Sequence, residues 1–172
     1  MKIAVISDTH DNSPAVTWII QYLNEHKITI ALHAGDIINP GIVMRFHKHY
    51  EGHLHFIFGN NDGERAGLMA RTASMEKISC HGDTLRMELG GKMIFMNHYS
   101  DMGENMAQSG VFDVCIGGHD HQYRIVEGPS LFINPGNTVT KDEWLMQDAD
   151  KASSFVLLDL ETLETERIMV PN

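Results

Sequence analysis

The chain contains few cysteines, and neither of them lies in a disulfide or metal-binding pattern. Cys80 and Cys115 are in separate apolar stretches, and no CxxC spacing occurs. Disulfide frameworks and structural zinc sites need several cysteines at characteristic spacings. The sequence therefore supports neither, and we expect both thiols to be reduced and buried.

Positive charge is also scarce. The 172 residues include 13 Lys+Arg against 23 Asp+Glu, and the formal net charge is −10. Proteins that bind duplex nucleic acid neutralise its phosphates with clustered Lys and Arg, and no basic run occurs here. We therefore expect no duplex nucleic acid partner. An anionic substrate would need a local source of positive charge, and bound metal ions are one such source.

Long apolar runs are absent as well. No stretch approaches the ~20 apolar residues of a membrane helix, and the apolar part of the first ten residues, MKIAVISDTH, is too short for a signal-peptide core. We expect a cytoplasmic protein without membrane contact. The length matches one domain of roughly 100–200 residues, so we predict a single domain over residues 1–172.

The first half of the chain alternates between strand and helix patterns. KIAVIS (2–7), ITIALHAG (28–35) and HLHFIFG (53–59) are apolar runs typical of buried strands. SPAVTWIIQYLNEH (13–26), IVMRFHKHY (42–50) and the segment after Gly63 have helical patterns. Strands that alternate with helices favour parallel pairing through right-handed crossovers.

The second half reads as short strands joined by tight turns, with one helix. Gly90 and Gly91 indicate a hairpin between TLRMEL and KMIFMNH, and DMGENMAQSG predicts a short helix that ends at Gly110. We therefore predict an α/β fold in which two β-sheets form a sandwich flanked by helices, with mixed parallel and antiparallel strands. Residues 138–152 are expected to form a surface loop that docks on its own domain. The alternative is that Trp144, Leu145 and Met146 cover part of the site or a partner.

Polar side chains occur where five of the predicted strands end. They are Asp8, His10, Asp36, Asn60, His98, His119 and His121. Open α/β sheets place their ligand sites at the carboxyl ends of strands, so we expect these side chains to converge on one rim. Each offers a lone pair from a carboxylate, an amide oxygen or an imidazole nitrogen. The sequence therefore predicts a metal site.

The types of donor indicate which ions would bind. Oxygen and imidazole donors without a thiolate suit Mn, Fe, Zn, Co or Ni better than Ca, Mg or Cu(I). Seven donors are too many for one tetrahedral ion, but they suffice for two ions if one carboxylate bridges and water completes the coordination. We predict two divalent transition-metal ions, with Mn as the first choice and Fe, Zn, Ni or Co as the others.

These sequence blocks resemble the calcineurin-like metallophosphoesterase family. SDTH, AGD, GNND, NH and GHDH match, in order, the signature D-x-H, G-D, G-N-x-(D/E), H and G-H-x-H. The chain length, INPGN (133–137) and ASSFVLLDLET (152–162) resemble the small YfcE-type phosphodiesterases. Five blocks in order are highly specific, and the resemblance spans essentially the whole chain.

The resemblance implies a ligand set and a reaction. Asp36 would bridge two ions, one held also by Asp8, His10 and His121, the other by Asn60, His98 and His119. Two ions, two carboxylates and a bridging hydroxide leave a charge of about +1, which would attract phosphate. We expect a phosphoesterase, specifically a phosphodiesterase, in which that hydroxide attacks phosphorus in line. Gly59 is expected to let the strand turn sharply before Asn60.

The catalytic candidates are Asp36, Asn60, Asn61, Asp62 and His98. Asn61 stands where family members often carry His or Cys, and its amide cannot deliver a proton to a leaving oxygen. We therefore expect a preference for esters with good leaving groups and weak activity on alkyl monoesters. Asp62 is expected to orient a neighbour rather than bind metal. Tyr99 could narrow the pocket or stack on a base.

Two other functions are alternatives. The retromer component of this fold is a protein-interaction scaffold that has lost part of the ligand set, whereas the blocks are complete here, so a catalytically weak scaffold is the runner-up. A nuclease would need a basic groove or an added DNA-facing domain. A small phosphate ester is the expected partner. The oligomeric state is left open, because small members of the family often form homo-oligomers but no segment of this sequence indicates an interface.

Four further histidines lie in pairs outside these blocks. His47 and His49 do not share a face of their predicted helix. His53 and His55 share a face of their predicted strand and could bind metal. A solvated surface position is the simpler interpretation for both pairs.

Overall fold

A computed structural model describes residues 1–139 and 152–171. In these residues the strands are β1 (Lys2–Ile6), β2 (Ile30–His33), β3 (His53–Phe56), β4 (Ile78–Cys80), β5 (Thr84–Leu89), β6 (Lys92–Tyr99), β7 (Val114–Gly118), β8 (Tyr123–Val126), β9 (Leu131–Pro135), β10 (Ser154–Asp159) and β11 (Thr165–Met169). The helices are α1 (Ser13–Glu25), α2 (Pro40–His49), α3 (Arg65–Thr72) and α4 (Ser100–Ser109).

The strands form two mixed sheets. The first has the order β11-β10-β1-β2-β3-β4, and the second has the order β5-β6-β7-β9-β8. Strands β1 to β4 pair in parallel, as do β6, β7 and β9. The pairs β1–β10, β10–β11, β5–β6 and β8–β9 are antiparallel. The predicted fold class, an α/β sandwich of mixed sheets flanked by helices, is confirmed.

The helices begin and end where local chemistry predicts. Asn12 caps α1 because its side chain accepts a hydrogen bond from the backbone N–H of Ala15, and Pro14 fits the first turn. Gly110 ends α4 in a left-handed conformation. No helix among residues 1–139 and 152–171 is long and apolar enough to cross a membrane.

The core lies in three layers because the central strands, such as β1, β7 and β9, are buried on both faces. In β1, Ala4 and Ile6 pack toward the helices, whereas Ile3 and Val5 pack between the two sheets. A third apolar cluster lies between the second sheet and α4. This two-sided burial explains why the strands read as continuous apolar runs rather than as alternating patterns. The single-domain organisation of residues 1–172 stays a prediction.

Several predicted boundaries differ from the structure by a few residues, and two of them lie at the predicted ligands. β3 ends at Phe56 rather than at Gly59. The backbone N–H of Ile57 still donates to the carbonyl of His33 in the register of the β2–β3 pair, but that of Phe58 donates to the carbonyl of Gly82, beyond the end of β4. The long β6 includes His98, which had been expected to follow the strand. Most of the expected surface loop, residues 140–151, lies outside the described residues. The prediction for Trp144, Leu145 and Met146 falls in that part.

The expectation of solvated histidines is corrected for the pair on β3. His53 and His55 are half-buried, and His81, the residue after β4, is half-buried beside them. Burial lowers the pKa of all three imidazoles, and neighbouring histidines contribute in the same direction for His55 and His81. The pKa of His55 falls from 6.5 to about 4.

We expect the metal-free protein to lose stability as the pH falls from 6.5 toward 4. In this window the unfolded chain binds a proton that folded His55 resists, so the free energy of unfolding decreases with falling pH. Because the cluster is partly exposed, we expect a decrease on the order of 1–2 kcal/mol. Urea unfolding at pH 7 and pH 5 measures it. His55→Gln should show a smaller decrease, and equal decreases in both proteins would contradict the assignment.

Candidate metal centre

The seven predicted ligands converge at one end of the sandwich, as expected. The loops after β1, β2 and β3 supply Asp8, His10, Asp36 and Asn60, and β6 with the loop after β7 supplies His98, His119 and His121. Hydrogen bonds join the two sheets at this edge. The backbone N–H of His119 donates to Asp8 Oδ2 at 3.0 Å, and His98 Nδ1 lies 2.8 Å from the carbonyl oxygen of Ala34.

Left-handed backbone turns aim several of these side chains inward. The predicted ligands with positive φ are Asp8 (52°), His10 (40°), Asp36 (58°), His119 (72°) and His121 (60°). Such conformations cost on the order of 1–3 kcal/mol each, and they concentrate at functional sites. The loops are therefore shaped for the placement of side chains rather than for their own stability.

Asp8, His10 and His121 present three donor atoms to one point. Asp8 Oδ1 lies 3.7 Å from His10 Nε2 and 3.3 Å from His121 Nε2, and the two nitrogens are 3.1 Å apart. Asp8 Oδ1 is buried and has no hydrogen-bond partner, whereas Oδ2 is held by Ser7 Oγ at 2.5 Å. An orphaned carboxylate oxygen facing two imidazoles fits a cation. Burial would raise the pKa of Asp8, but the nearby histidines lower it well below its usual range.

The remaining ligands surround a second point. Asn60 Oδ1 lies 2.9 Å from His98 Nε2 and 2.8 Å from His119 Nδ1. Asp36 Oδ2 lies 3.4 Å from His98 Nε2 and 3.5 Å from His10 Nε2, which belongs to the first group. The Asp36 carboxylate therefore stands between the two groups of donors.

His98 is oriented as a metal ligand would be. Its Nδ1 faces the Ala34 carbonyl, which can only accept, so Nδ1 carries a proton and donates it. Its Nε2 then faces two further acceptors, the oxygens of Asn60 and Asp36. Burial lowers the pKa of His98, but Asp36 and Asp8 outweigh it and raise the pKa above its ordinary value. A cation bound at Nε2 would meet the same demand for positive charge.

Asn61 and Asp62, in the loop after β3, bond to the loop after β2. Asn61 contacts the Asp36 carboxylate and Asp62 contacts the backbone. Asn61 donates to Asp36 twice, from its backbone N–H at 2.9 Å and from its side-chain amide at 2.8 Å. Buried Asp62 accepts hydrogen bonds from the backbone N–H groups of Asp36, Ile38 and Gly59 at 3.0, 2.6 and 2.7 Å. Asp62 therefore orients neighbours, as expected, and it clamps the loop after β2 to the loop after β3.

The expected reason for Gly59 is corrected by the structure. Gly59 does not adopt the left-handed φ that would require glycine in a sharp turn. Instead, a Cβ atom at this position would overlap the backbone nitrogen and the carboxylate of Asp36. Glycine is needed because the two loops approach each other closely.

Arg65 is a residue of this site that the motifs did not indicate. From the first turn of α3 it donates to the carbonyls of Gly59 and Asp62, and it pairs with Asp83 at 2.8 Å. It also lies over the ring of Phe58, 5.3 Å from its centroid. A cation placed three residues after Asp62 was the available signal, but no block of the signature includes it.

An open pocket adjoins the second group of ligands. It has a volume of about 250 Å³ and is lined by Phe58, Gly59, Asn60, Arg65, Asp83, Asn97, His98 and Tyr99. The ring of Tyr99 is 42% exposed and lies edge-on to His119, with centroids 4.7 Å apart. A larger cavity of about 900 Å³ is lined by other residues near Val111 and Thr162. Of these two cavities, the smaller is the one that touches predicted ligands, Asn60 and His98.

Comparisons with known proteins agree with this geometry. Residues 1–163 match the calcineurin-like phosphoesterase superfamily domain. Phosphodiesterase MJ0936 of Methanocaldococcus jannaschii is 31% identical over 140 residues, which are 79% of this chain and 83% of that protein.

Solved structures share the fold. An archaeal phosphodiesterase superposes with a TM-score of 0.86 at 28% identity, over 98% of this chain and 99% of that one. The phosphoesterase Yfce of E. coli superposes with a TM-score of 0.66 at 16% identity, over 99% and 100% of the two chains. Since the match of residues 1–163 covers most of the chain and the relative is a phosphodiesterase, the protein belongs to the calcineurin-like phosphoesterase superfamily and is a phosphoric ester hydrolase.

Proposed function

We propose that the protein is a dinuclear metal-dependent phosphodiesterase. The observation that carries this proposal is the position of Asp36, whose Oδ2 lies 3.5 Å from His10 Nε2 and 3.4 Å from His98 Nε2. Within the described residues, two sets of three donors have their ligand atoms within 4.8 Å of one another, Asp8 with His10 and His121, and Asp8 with Asp36 and His98. These two adjacent sets have Asp8 in common, and they suit two neighbouring ions. We propose Asp36 as the carboxylate that the two ions share, because its Oδ2 faces His10 of one set and His98 of the other.

The proposed ligands of the first ion are Asp8, His10, Asp36 and His121. Those of the second ion are Asp36, Asn60, His98 and His119. Mn is the proposed metal, with Fe, Zn, Ni or Co as alternatives, because the donors are oxygen and imidazole nitrogen. When bound, two divalent ions supply positive charge for the phosphoryl oxygens and lower the pKa of a water molecule so that it can attack phosphorus in line.

The chain's own residues position that chemistry. Asp36 joins the two groups of donors, and Asn61 fixes both of its carboxylate oxygens. Asn60 faces two imidazoles at once. Asp62 acts indirectly. The hydrogen bonds that its carboxylate accepts come from backbone N–H groups, including those of Asp36 and Gly59, and not from the side chains of proposed ligands. We therefore classify Asp62 as a positioning residue.

The proposed substrate is a small phosphodiester. The related archaeal protein is a phosphodiesterase, and a pocket of about 250 Å³ beside Asn60 and His98 suits one ring or a nucleoside-sized group. The exposed ring of Tyr99 offers a flat surface to that group. The cytoplasmic location stays a prediction, and the oligomeric state stays open. In the catalytically weak scaffold, the alternative, metal would bind without appreciable turnover.

Metal reconstitution tests the proposed function. Protein stripped of metal should be inactive on an aryl phosphodiester, and activity should return in parallel with Mn²⁺ binding until two ions per chain are bound. Equilibrium dialysis and the rate of aryl alcohol release measure the two quantities on the same samples. Full activity in stripped protein would remove the mechanism, and two bound ions without turnover would favour the scaffold.

Asn61→His should shift the preference toward esters with poor leaving groups. The imidazole can protonate a leaving oxygen, which the amide cannot, and general acid catalysis contributes roughly 10²–10⁴-fold where it operates. The variant also loses the hydrogen bond that the Asn61 side-chain amide donates to Asp36 Oδ2, so absolute rates should fall. The ratio of alkyl to aryl ester hydrolysis should nevertheless rise about tenfold. Asn61→Ala is the control, since it loses the same bond without gaining an acid. An equal ratio in both variants would contradict the role.

A further inference from the structure

Three histidines form a cluster at the open edge of the first sheet, outside the candidate metal centre. His53 and His55 lie on β3, and His81 follows β4, the last strand of the sheet. His55 Nδ1 is 3.0 Å from His81 Nε2. The rings of His53 and His55 are stacked with centroids 4.4 Å apart, and His53 Nε2 lies 2.8 Å from Ser79 Oγ.

Strand alternation places these side chains on one face. Leu54, Phe56 and Ile78 pack into the apolar cluster on the helix side of the sheet. Successive side chains of a strand point to opposite faces, so His53 and His55 lie on the other face, and Ser79, paired with His55, lies there with them. A His-x-His strand with a histidine from the neighbouring strand therefore brings three imidazoles to one half-buried patch.

The closest pair has the spacing of two ligands on one ion. Metal–nitrogen bonds of ~2.0–2.1 Å at angles between octahedral and tetrahedral separate two nitrogens by about 2.9–3.4 Å. His55 and His81 are 3.0 Å apart at their nitrogens, and His10 and His121 at the candidate metal centre are 3.1 Å apart. The same pairing of imidazoles thus occurs at both places.

The chemistry of the patch selects a class of ion. Its donors are imidazole nitrogens, whereas the candidate metal centre offers imidazole nitrogens together with carboxylate oxygens. Neutral imidazole is the metal-binding form, and a lowered pKa keeps these histidines neutral at pH 7 so that protons compete weakly. Imidazole sets suit Zn²⁺, Ni²⁺, Co²⁺ and Cu²⁺, whereas Mg²⁺, Ca²⁺ and Mn²⁺ favour oxygen.

We propose that His53, His55 and His81 bind one zinc-type transition-metal ion at a site separate from the candidate metal centre. His55 and His81 already face each other, and His53 joins them when its ring turns from Ser79 Oγ toward the pair. Three nitrogens leave a fourth position for water or an anion. The ion would tie the edge strand β4 to β3 and stabilise the pairing of the two strands.

Zinc stoichiometry tests this site without relying on activity. Metal-free wild type and the double variant His55→Gln/His81→Gln are dialysed against Zn²⁺, and the bound ion is counted by elemental analysis. The double variant should bind one ion per chain fewer than wild type, whatever number the candidate metal centre holds. The control is His26→Gln/His49→Gln, which removes two exposed histidines elsewhere and should bind as many ions as wild type.

Two further measurements keep the test decisive. Zn²⁺ can also replace Mn²⁺ at the candidate metal centre. Zn²⁺ should therefore raise the unfolding temperature of wild type and of the control by more than that of the double variant. The Mn²⁺-supported phosphodiesterase rate should be the same in all three proteins, which separates this site from the catalytic one. If the double variant does not fold, His81→Gln alone breaks the 3.0 Å pair and takes its place. Equal zinc counts in wild type and variant would overturn the proposal.

Discussion

Asp36→Asn is expected to lower kcat/KM for an aryl phosphodiester by about 10³-fold or more, equivalent to about 4 kcal/mol of lost transition-state stabilisation. Asp36 is the carboxylate that we propose both ions share, because its Oδ2 lies near His10 Nε2 and His98 Nε2. An amide carries no charge and has one oxygen, so it cannot hold both ions as the carboxylate does. The loss should therefore appear as weaker Mn²⁺ binding together with a lower rate at saturating Mn²⁺.

Asp101→Asn is the matched control for this substitution. Asp101 is exposed in the first turn of α4, and its side chain accepts a hydrogen bond from the backbone of Met102. The control should retain the wild-type rate within a factor of about two, because exposed substitutions away from a site have small effects. Dialysis against Mn²⁺ and steady-state kinetics on folded protein distinguish the two variants. A wild-type rate in Asp36→Asn would exclude the bridging role.

The order of the strands and helices could be predicted because burial dictates where apolar residues occur along the sequence. Residues 3–6 are continuously apolar because both faces of β1 are covered, and Asn12 with Pro14 indicates the start of α1. The end of β3 could not be predicted in the same way. Ile57 and Phe58 are as apolar as the strand, but the backbone N–H of Phe58 donates to Gly82, beyond the end of β4, and this bond depends on tertiary contacts.

The candidate metal centre was predictable for a different reason. Its donors follow strands, and parallel strands deliver their carboxyl ends to one edge, so distant blocks such as Asp8 and His121 must meet if the topology is right. The left-handed φ of these residues could not be predicted, because no glycine stands at these positions to indicate it. Arg65 was missed because it contacts backbone carbonyls, which any loop possesses.

The histidine cluster shows the limit of strand periodicity. The two-residue spacing of His53 and His55 predicts a shared face, and the structure agrees. Nothing in the sequence indicates that His81 joins them, because the contact depends on the pairing of β3 with β4 and on the backbone bond from His81 to Phe56. Half-burial at the sheet edge likewise depends on how the sandwich closes.

Gly59→Ala is expected to damage both stability and activity. The added methyl group would overlap the backbone nitrogen and the carboxylate of Asp36, so the loops after β2 and β3 must separate. Separation strains the hydrogen bonds that Asp62 Oδ2 accepts from the backbones of Asp36 and Gly59. Overpacking of a rigid contact of this kind costs roughly 1–3 kcal/mol. Because Asp36 is displaced as well, we expect kcat/KM to fall at least 100-fold even in the folded fraction, where small misplacements of catalytic groups are costly.

Gly63→Ala separates this clash from a general effect of losing glycine. A Cβ atom at Gly63 meets no atom within 4 Å, and the residue does not have a left-handed φ. The control should therefore unfold at the same urea concentration as wild type or slightly above it, since alanine restricts the unfolded chain more than glycine does. Urea titration and phosphodiester kinetics on both variants decide the matter. If Gly59→Ala matched Gly63→Ala in stability and rate, the close approach of the two loops could not be what positions Asp36, and the bridging geometry would need another support.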